Sequence, residues 1–374
     1  MKIEVYSPTI RRREMDAVLT AMVEEKIGPG ERNQFLIQTA KDYLRFDYAL
    51  ALRSPAVALQ LALKALNVKA GQAVIISALS PRYYLQVIED LFLKPLFCDV
   101  SFDFPCMSRE TIEKALMKNP GFEACAIILH HALGFIPDTQ AINESGLPVI
   151  EDISHSYGTL RRDNTNEDEA ELSGDKDAKE KGAPIKNRSG GESNQIRQHY
   201  GSAFYILGLE ERDMLTSGGG ALLFAMNKKD GSALRNFAAI PDEFCIPDMN
   251  AALAIAQFKD ARRNIEKRAA IARIYAQSSL RTRHKMFVPL HDEGYNNYSF
   301  PLVLETGLKD VIAYARKKEI VVESAFENTL AGSGVCGQSP VSNSLALRTV
   351  SFPIYPRLRS QDAERVAKLI MTLP

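Results

Sequence analysis

Five short apolar runs, at 48–52, 74–76, 95–98, 124–129 and 148–150, alternate with stretches of helical spacing at 55–66, 82–92, 108–118 and 138–145. Runs that are apolar throughout, instead of alternating with polar residues, need cover on both faces. They predict strands of a mostly parallel sheet with helices on either side. Local signals agree: Ser54 reads as an N-cap, with Pro55 at the first helical position, where its missing N–H costs nothing. Two more strands are expected at 203–207 and 221–224, around the turn 216–220 (TSGGG). Ligands in such sheets sit beyond the carboxyl ends of the strands. Ser54, Ser77, His130 and Asp152 all lie just past expected strand ends, so one cleft is expected to collect them.

The flanks differ. Met15, Val18, Leu19 and Met22 give helical spacing to 11–26, and a second short helix is expected at 34–45, past a Gly-Pro-Gly turn. The longest helical pattern, 248–281, reads as a connecting helix. A small α+β unit follows, with strands at 299–304 and 319–323 and helices at 308–317 and 361–372. Its 374 residues exceed what one core usually supports. The expected division is therefore a large α/β domain over 1–236, then a connecting helix and small domain over 237–374. Residues 161–199 mix both charge signs with Gly, Ser and Asn and almost no large apolar side chain. They are expected to form a disordered surface insertion, because they bury too little to offset ordering entropy.

Charge and cysteine usage exclude several classes. Lys and Arg number 46, as do Asp and Glu, which leaves no global footprint for nucleic acid or an anionic membrane. No apolar run approaches a membrane span, and the first residues, MKIEVYSPTIRRRE, do not read as a secretory signal. Five scattered cysteines argue against a disulfide framework and for a reducing cytoplasm, and the six histidines lack metal-ligand spacing.

Four segments together resemble the DegT/DnrJ/StrS group of sugar aminotransferases, which are pyridoxal-phosphate enzymes of fold type I. They are 149–158 (VIEDISHSYG), the 216–220 turn with the apolar run after it, 248–257 (DMNAALAIAQ) and 350–356 (VSFPIYP). The resemblance spans nearly the whole chain outside 161–199 and implies the fold type I architecture. It also implies a nucleotide-sugar ligand and a site built across a dimer, either a homodimer or a heterodimer with a related active subunit.

Carried over position by position, the resemblance implies that Asp152 pairs with the pyridine nitrogen of the cofactor and that His155 lies near its ring hydroxyl. The Schiff-base lysine falls on Arg212, and residues 187–227 contain no lysine. A guanidinium stays protonated, so it neither condenses with an aldehyde nor accepts a proton. The phosphate cup falls on Ser54, Pro55 and Ala56, where proline removes an N–H and alanine a hydroxyl. The family's phosphate serine falls on Leu207. Its stacking aromatic falls near Pro81, with Tyr83 and Tyr84 close by. Its asparagine and basic residue before the long helix fall on Glu243 and Cys245, and its turn glutamate on Gly218. Plainer readings stand beside these: Asp152 capping a turn, Ser54 capping a core helix, the tyrosines as amphipathic helix residues, and Arg212 as a surface arginine among Glu210, Glu211 and Asp213. Three functions are open at this point. They are a catalytically impaired family member acting as a binding or regulatory partner, a working aminotransferase or dehydratase, and an enzyme free of the cofactor with Asp152 or His155 as base.

Overall fold

The computed structural model describes residues 2–159, 201–237, 240–287, 294–336 and 339–374. The insertion expected at 161–199 lies outside the described residues. Elements run α1 (Arg12–Val23), α2 (Glu31–Leu44), β1 (Tyr48–Leu52), α3 (Pro55–Ala65), β2 (Ala73–Ser77), α4 (Tyr83–Asp90), β3 (Lys94–Cys98), α5 (Arg109–Lys118), β4 (Ala124–His130), α6 (Thr139–Asn143) and β5 (Val149–Asp152). There follow β6 (Phe204–Gly208), β7 (Ala221–Ala225), α7 (Lys228–Arg235), α8 (Asp248–Ser279), β8 (Phe300–Val303), α9 (Leu308–Lys317), β9 (Glu323–Ser324), α10 (Pro340–Arg348), β10 (Thr349–Phe352) and α11 (Ser360–Met371).

Seven strands form one sheet in the order β1-β7-β6-β5-β4-β2-β3. Only β7 runs against the rest. The expected mostly parallel sheet with helices on both faces is therefore what forms. The two-residue period of β6 explains its unbroken apolar sequence: Phe204 and Ile206 pack with α3 on one face, Tyr205 and Leu207 with α2 on the other. Ser54 caps α3, its Oγ accepting from Val57 N at 3.3 Å, with Pro55 in the first turn. Removing that cap would cost about 1 kcal/mol.

The 32 residues of α8 span about 48 Å. Its first half packs with α2 and the large sheet, its second half with a separate apolar cluster on the antiparallel sheet β8-β10-β9. Ile3 joins that second cluster. Asp248, at the start of α8, accepts from Arg32 N and Asn33 N and so closes the first turn of α2.

One expectation is corrected, and two details go beyond the sequence reading. The strand expected at 319–323 is split. Ile320 bridges Ile3 of the N-terminal segment, and only Glu323 and Ser324 join the small sheet. The segment 349–352 is the central strand of that sheet, preceded by a helix, α10, that the sequence reading passed over. Asp99, just past β3, starts this helix by accepting from Val341 N, Ser342 N and Ser342 Oγ. Finally, α1 forms, but Met15, Leu19 and Met22 are each about half exposed, and the side chains it buries are Glu14 and Ala21.

Candidate functional site

Asp152 ends β5, in register with His130 at the end of β4. Both side chains are buried. Tyr84 OH donates to Asp152 Oδ2 at 2.6 Å and Tyr83 OH at 3.1 Å. Ser154 N donates to Oδ1 at 3.0 Å, and the Ser154 hydroxyl donates to the same oxygen. His130 Nδ1 lies 3.6 Å from Oδ2. Burial opposes the charge, but His130 and the bonds from Ser154 and Tyr84 outweigh it, and the carboxyl is held well below the usual carboxylate range. Its four lone-pair positions are thereby filled by groups of this chain. Burial first, and the Asp152 charge second, push both phenols upward.

His155 follows in the turn after β5. Its ring stacks on Tyr298 at 4.0 Å and 15°, and meets His130 edge-on at 4.9 Å. Burial, then the neighbouring His130, lowers it to about 3, so the ring is neutral at pH 7. Its Nδ1 is buried without a hydrogen-bond partner, and Nε2 lies 3.9 Å from Asp213 Oδ1, beyond hydrogen-bond distance. Asp213 accepts from Glu210 N at 2.8 Å, and its own burial raises it well above the usual range. Close packing here requires glycine at 208. A Cβ there would lie 2.3 Å from Asp213 Oδ2 and 2.8 Å from Ser154 Oγ, and Gly208 N donates to that same serine oxygen.

Arg212 sits in the turn after β6. Its Nη1 donates to Glu323 Oε1 of β9 at 2.6 Å, and its guanidinium lies 5.7 Å from the centre of the Tyr6 ring. This pair joins the large sheet's loops to the small sheet, and both residues line a cavity of about 260 Å³. Arg268, from α8, also lines the cavity. It is buried and donates to the carbonyls of Asn297, Tyr298 and Ile354.

The structure thus gathers Tyr83, Asp152, His155 and Arg212 around one cavity, together with His130 and Pro55. It leaves Ser54 and Ala56 off the lining. Ser54 Oγ is engaged in capping α3, and Ser77 Oγ accepts from Leu79 N in its own turn, so the single cleft expected to hold all four strand-end residues holds two of them. Leu207 is buried in the core, and Glu243 and Cys245 stand outside the lining. The sequence reading missed Tyr6, Arg268, Tyr298, Glu323 and Glu327, which come from segments distant in the chain. It passed over Asp213, whose signal was its place beside Arg212 after a glycine-ended strand.

Comparison with known proteins places this arrangement. The model of the DegT/DnrJ/EryC1/StrS aminotransferase family matches residues 8–169 and 231–371. Solved structures share the fold at low identity. An aminotransferase TlmJ from Streptoalloteichus hindustanus is 18% identical, with TM-score 0.78, over 99% of this chain and 98% of its own. A DegT DnrJ EryC1 StrS aminotransferase from Brucella abortus is 20% identical, with TM-score 0.78, over 96% and 94%. Helicobacter pylori PseC, an aminotransferase involved in the biosynthesis of pseudoaminic acid, is 14% identical, with TM-score 0.79, over 99% and 98%.

Proposed function

We propose that this chain, which belongs to the DegT/DnrJ/EryC1/StrS aminotransferase family, is a catalytically impaired member. It acts as a binding or regulatory partner in nucleotide-sugar or surface-polysaccharide synthesis in the cytoplasm. The observation that carries this reading is Arg212. It stands where the resemblance puts the family's lysine, and it is committed to Glu323 at 2.6 Å.

The residues present do not fit pyridoxal phosphate. Among the described residues no lysine lines the cavity, so none of them supplies the amine that the cofactor's aldehyde needs. A pyridinium approaching Asp152 would have to displace Tyr83 OH or Tyr84 OH from an oxygen that already holds both. At the phosphate end, Pro55 offers no N–H and Ala56 no hydroxyl, which leaves the Ser54 hydroxyl, already accepting from Val57 N, with its O–H to donate. Asp152 is also a poor candidate for a base in chemistry without the cofactor, because every lone pair is engaged. His155, lowered to about 3, is a weak base at neutral pH.

The exposed apolar side chains of α1 (Met15, Leu19, Met22 and Val23) support a subunit surface, used by a homodimer or by a heterodimer with an active relative. No helix among the described residues is long and apolar enough to cross a membrane.

The test is reductive trapping. Purified protein mixed with a stoichiometric amount of pyridoxal phosphate and then borohydride should gain no pyridoxyl mass. An adduct mapped to one side chain at high occupancy would overturn the proposal.

A further inference from the structure

We propose that residues 2–8 form a releasable strap that gates the cavity above Asp152, hinged at Thr9 and latched where the Tyr6 ring meets Arg212. The inference is independent of the non-catalytic reading above, since a wall that moves controls access whatever enters.

The way the strap is tethered is the first argument. At one end Ile3 is tied to the small domain. Its N–H donates to Glu319 O at 2.9 Å, its carbonyl accepts from Val321 N at 2.9 Å, and its side chain is buried in the second apolar cluster. At the other end Arg357 Nη1 donates to Ile10 O at 2.8 Å, just before α1. Between these anchors, residues 4–9 make no hydrogen bond to a described residue outside the segment, and the Thr9 hydroxyl donates to Ser7 O within it. Yet Val5 and Tyr6 line the cavity. Other walls are cross-linked. Leu330 N and Ala331 N donate to Ser80 O and Ala78 O at 3.0 and 2.8 Å, which fastens the segment after β9 to the turn after β2. Arg268 holds the carbonyls of Asn297, Tyr298 and Ile354. A wall hydrogen-bonded only at its ends is the one that opens at least cost.

The backbone supplies the second argument. Thr9 has φ +57°, in the left-handed region that a β-branched residue avoids. Such a conformation persists only where surrounding contacts hold it, and the Thr9 side chain is buried. Swinging the strap outward lets Thr9 relax to extended backbone, so the strain favours release and the latch opposes it. The Arg212 guanidinium lies 5.7 Å from the centre of the Tyr6 ring while its Nη1 holds Glu323. Burial above all raises the Tyr6 phenol, and Arg268, Asp213 and Arg212 of the lining are among the charges that reach it. The ring thus lies among the cavity's charged side chains.

The experiment is iodoacetamide labelling of the full chain carrying Ser351→Cys, a position in β10 that lines the cavity and is 7% exposed. Peptide masses separate residue 351 from the native cysteines. Ile3→Ala lies off the lining and acts only through the strap, so it should speed labelling at residue 351 about tenfold by loosening the anchor. Tyr6→Leu keeps an apolar side chain in the wall but cannot hold a cation, and should speed it several-fold. Cys98 and Cys106 are buried in the large domain and report unfolding of the chain, so their rates should stay unchanged in both variants. The inference is overturned if residue 351 labels as fast with the strap intact as it does in urea, if neither variant changes its rate, or if Cys98 and Cys106 speed up in step with it. Should Ile3→Ala, which removes a buried side chain, fail to fold, Tyr6→Leu at its half-buried position carries the same test. None of these outcomes bears on the reductive trapping that tests the non-catalytic reading.

Discussion

Two acid–imidazole pairs stand back to back across the large sheet, one residue apart. Glu151 and Asp152 are consecutive on β5, so their side chains leave opposite faces. Asp152 meets His130 and two phenols at the cavity. Glu151 meets His131 Nε2 at 3.2 Å and accepts from Ser202 Oγ at 2.5 Å, while His131 Nδ1 and Ser156 Oγ lie 2.7 Å apart. The Ser156–His131–Glu151 order has the distances of a nucleophile, a base and an orienting acid. Yet Ser156 is wholly buried, and no substrate reaches it. The pair chemistry is the same on both faces. What differs is access: small hydroxyls seal one pair, and aromatic rings around a void frame the other. A list of titratable neighbours therefore does not locate a site, whereas a cavity beside them does.

The sharpest way to break this comparison is to remove one acid from each pair. Glu151→Ala strands His131 and Ser202 in a closed interior and should cost about 3–5 kcal/mol in urea unfolding. Asp152→Asn keeps an acceptor for the phenols and opens onto space where a water can enter, so about 1–2 kcal/mol is expected. Equal losses would mean that the cavity side is sealed as tightly as the other.

Acid titration probes the cavity side. The unfolded imidazole of residue 155 takes up its proton near pH 6.5, the folded one only near 3. The unfolded state thus binds more protons in that window. Stability from this group is complete above pH 6.5 and falls as the pH drops toward 3, by about 2–4 kcal/mol. Asp213 carries the opposite sign, because its folded carboxyl is raised and its contribution is lost as pH rises. His155→Asn should flatten the acidic slope, and Asp213→Asn should remove the opposing loss that sets in as the pH rises above the free carboxylate range. Stability measured across pH by chemical denaturation separates them. An unchanged acidic slope in His155→Asn would show that the ring is solvated and the cavity open.

The same contrast explains what the sequence revealed. β2, β4 and β6 were legible because burial on both faces forces an unbroken apolar run, and α3 because its cap and proline are local. Asp152 was legible because it follows a strand. The partners that give it meaning were not. Glu323, Tyr6 and Tyr298 reach the cavity through tertiary folding, and no local periodicity marks them. Tyr83 and Tyr84 read equally well as one face of an amphipathic helix, and only the geometry shows both phenols turned onto one carboxylate. For α1 the helix was legible but its buried face was not. Met15, Leu19 and Met22 have the spacing of a core face, but Glu14 and Ala21 take the inward side.

The smallest expected effect is the most informative about the cavity. Arg212→Lys restores an amine at the position where the resemblance requires one. The ion pair it alters is half exposed, so stability should change by less than about 1 kcal/mol. If the missing lysine were the whole difference from the family, this variant would trap pyridoxal phosphate stoichiometrically on residue 212. The rest of the lining argues otherwise. Tyr83 and Tyr84 still occupy the carboxylate that would hold the ring, Pro55 and Ala56 still lack an N–H and a hydroxyl for the phosphate, and Glu323, which holds the guanidinium at 2.6 Å, remains to draw the new amine. Borohydride trapping of this variant should therefore yield no stoichiometric adduct at residue 212. Trapping that appears only after Tyr83→Phe is added would assign the barrier to the phenol rather than to the phosphate end.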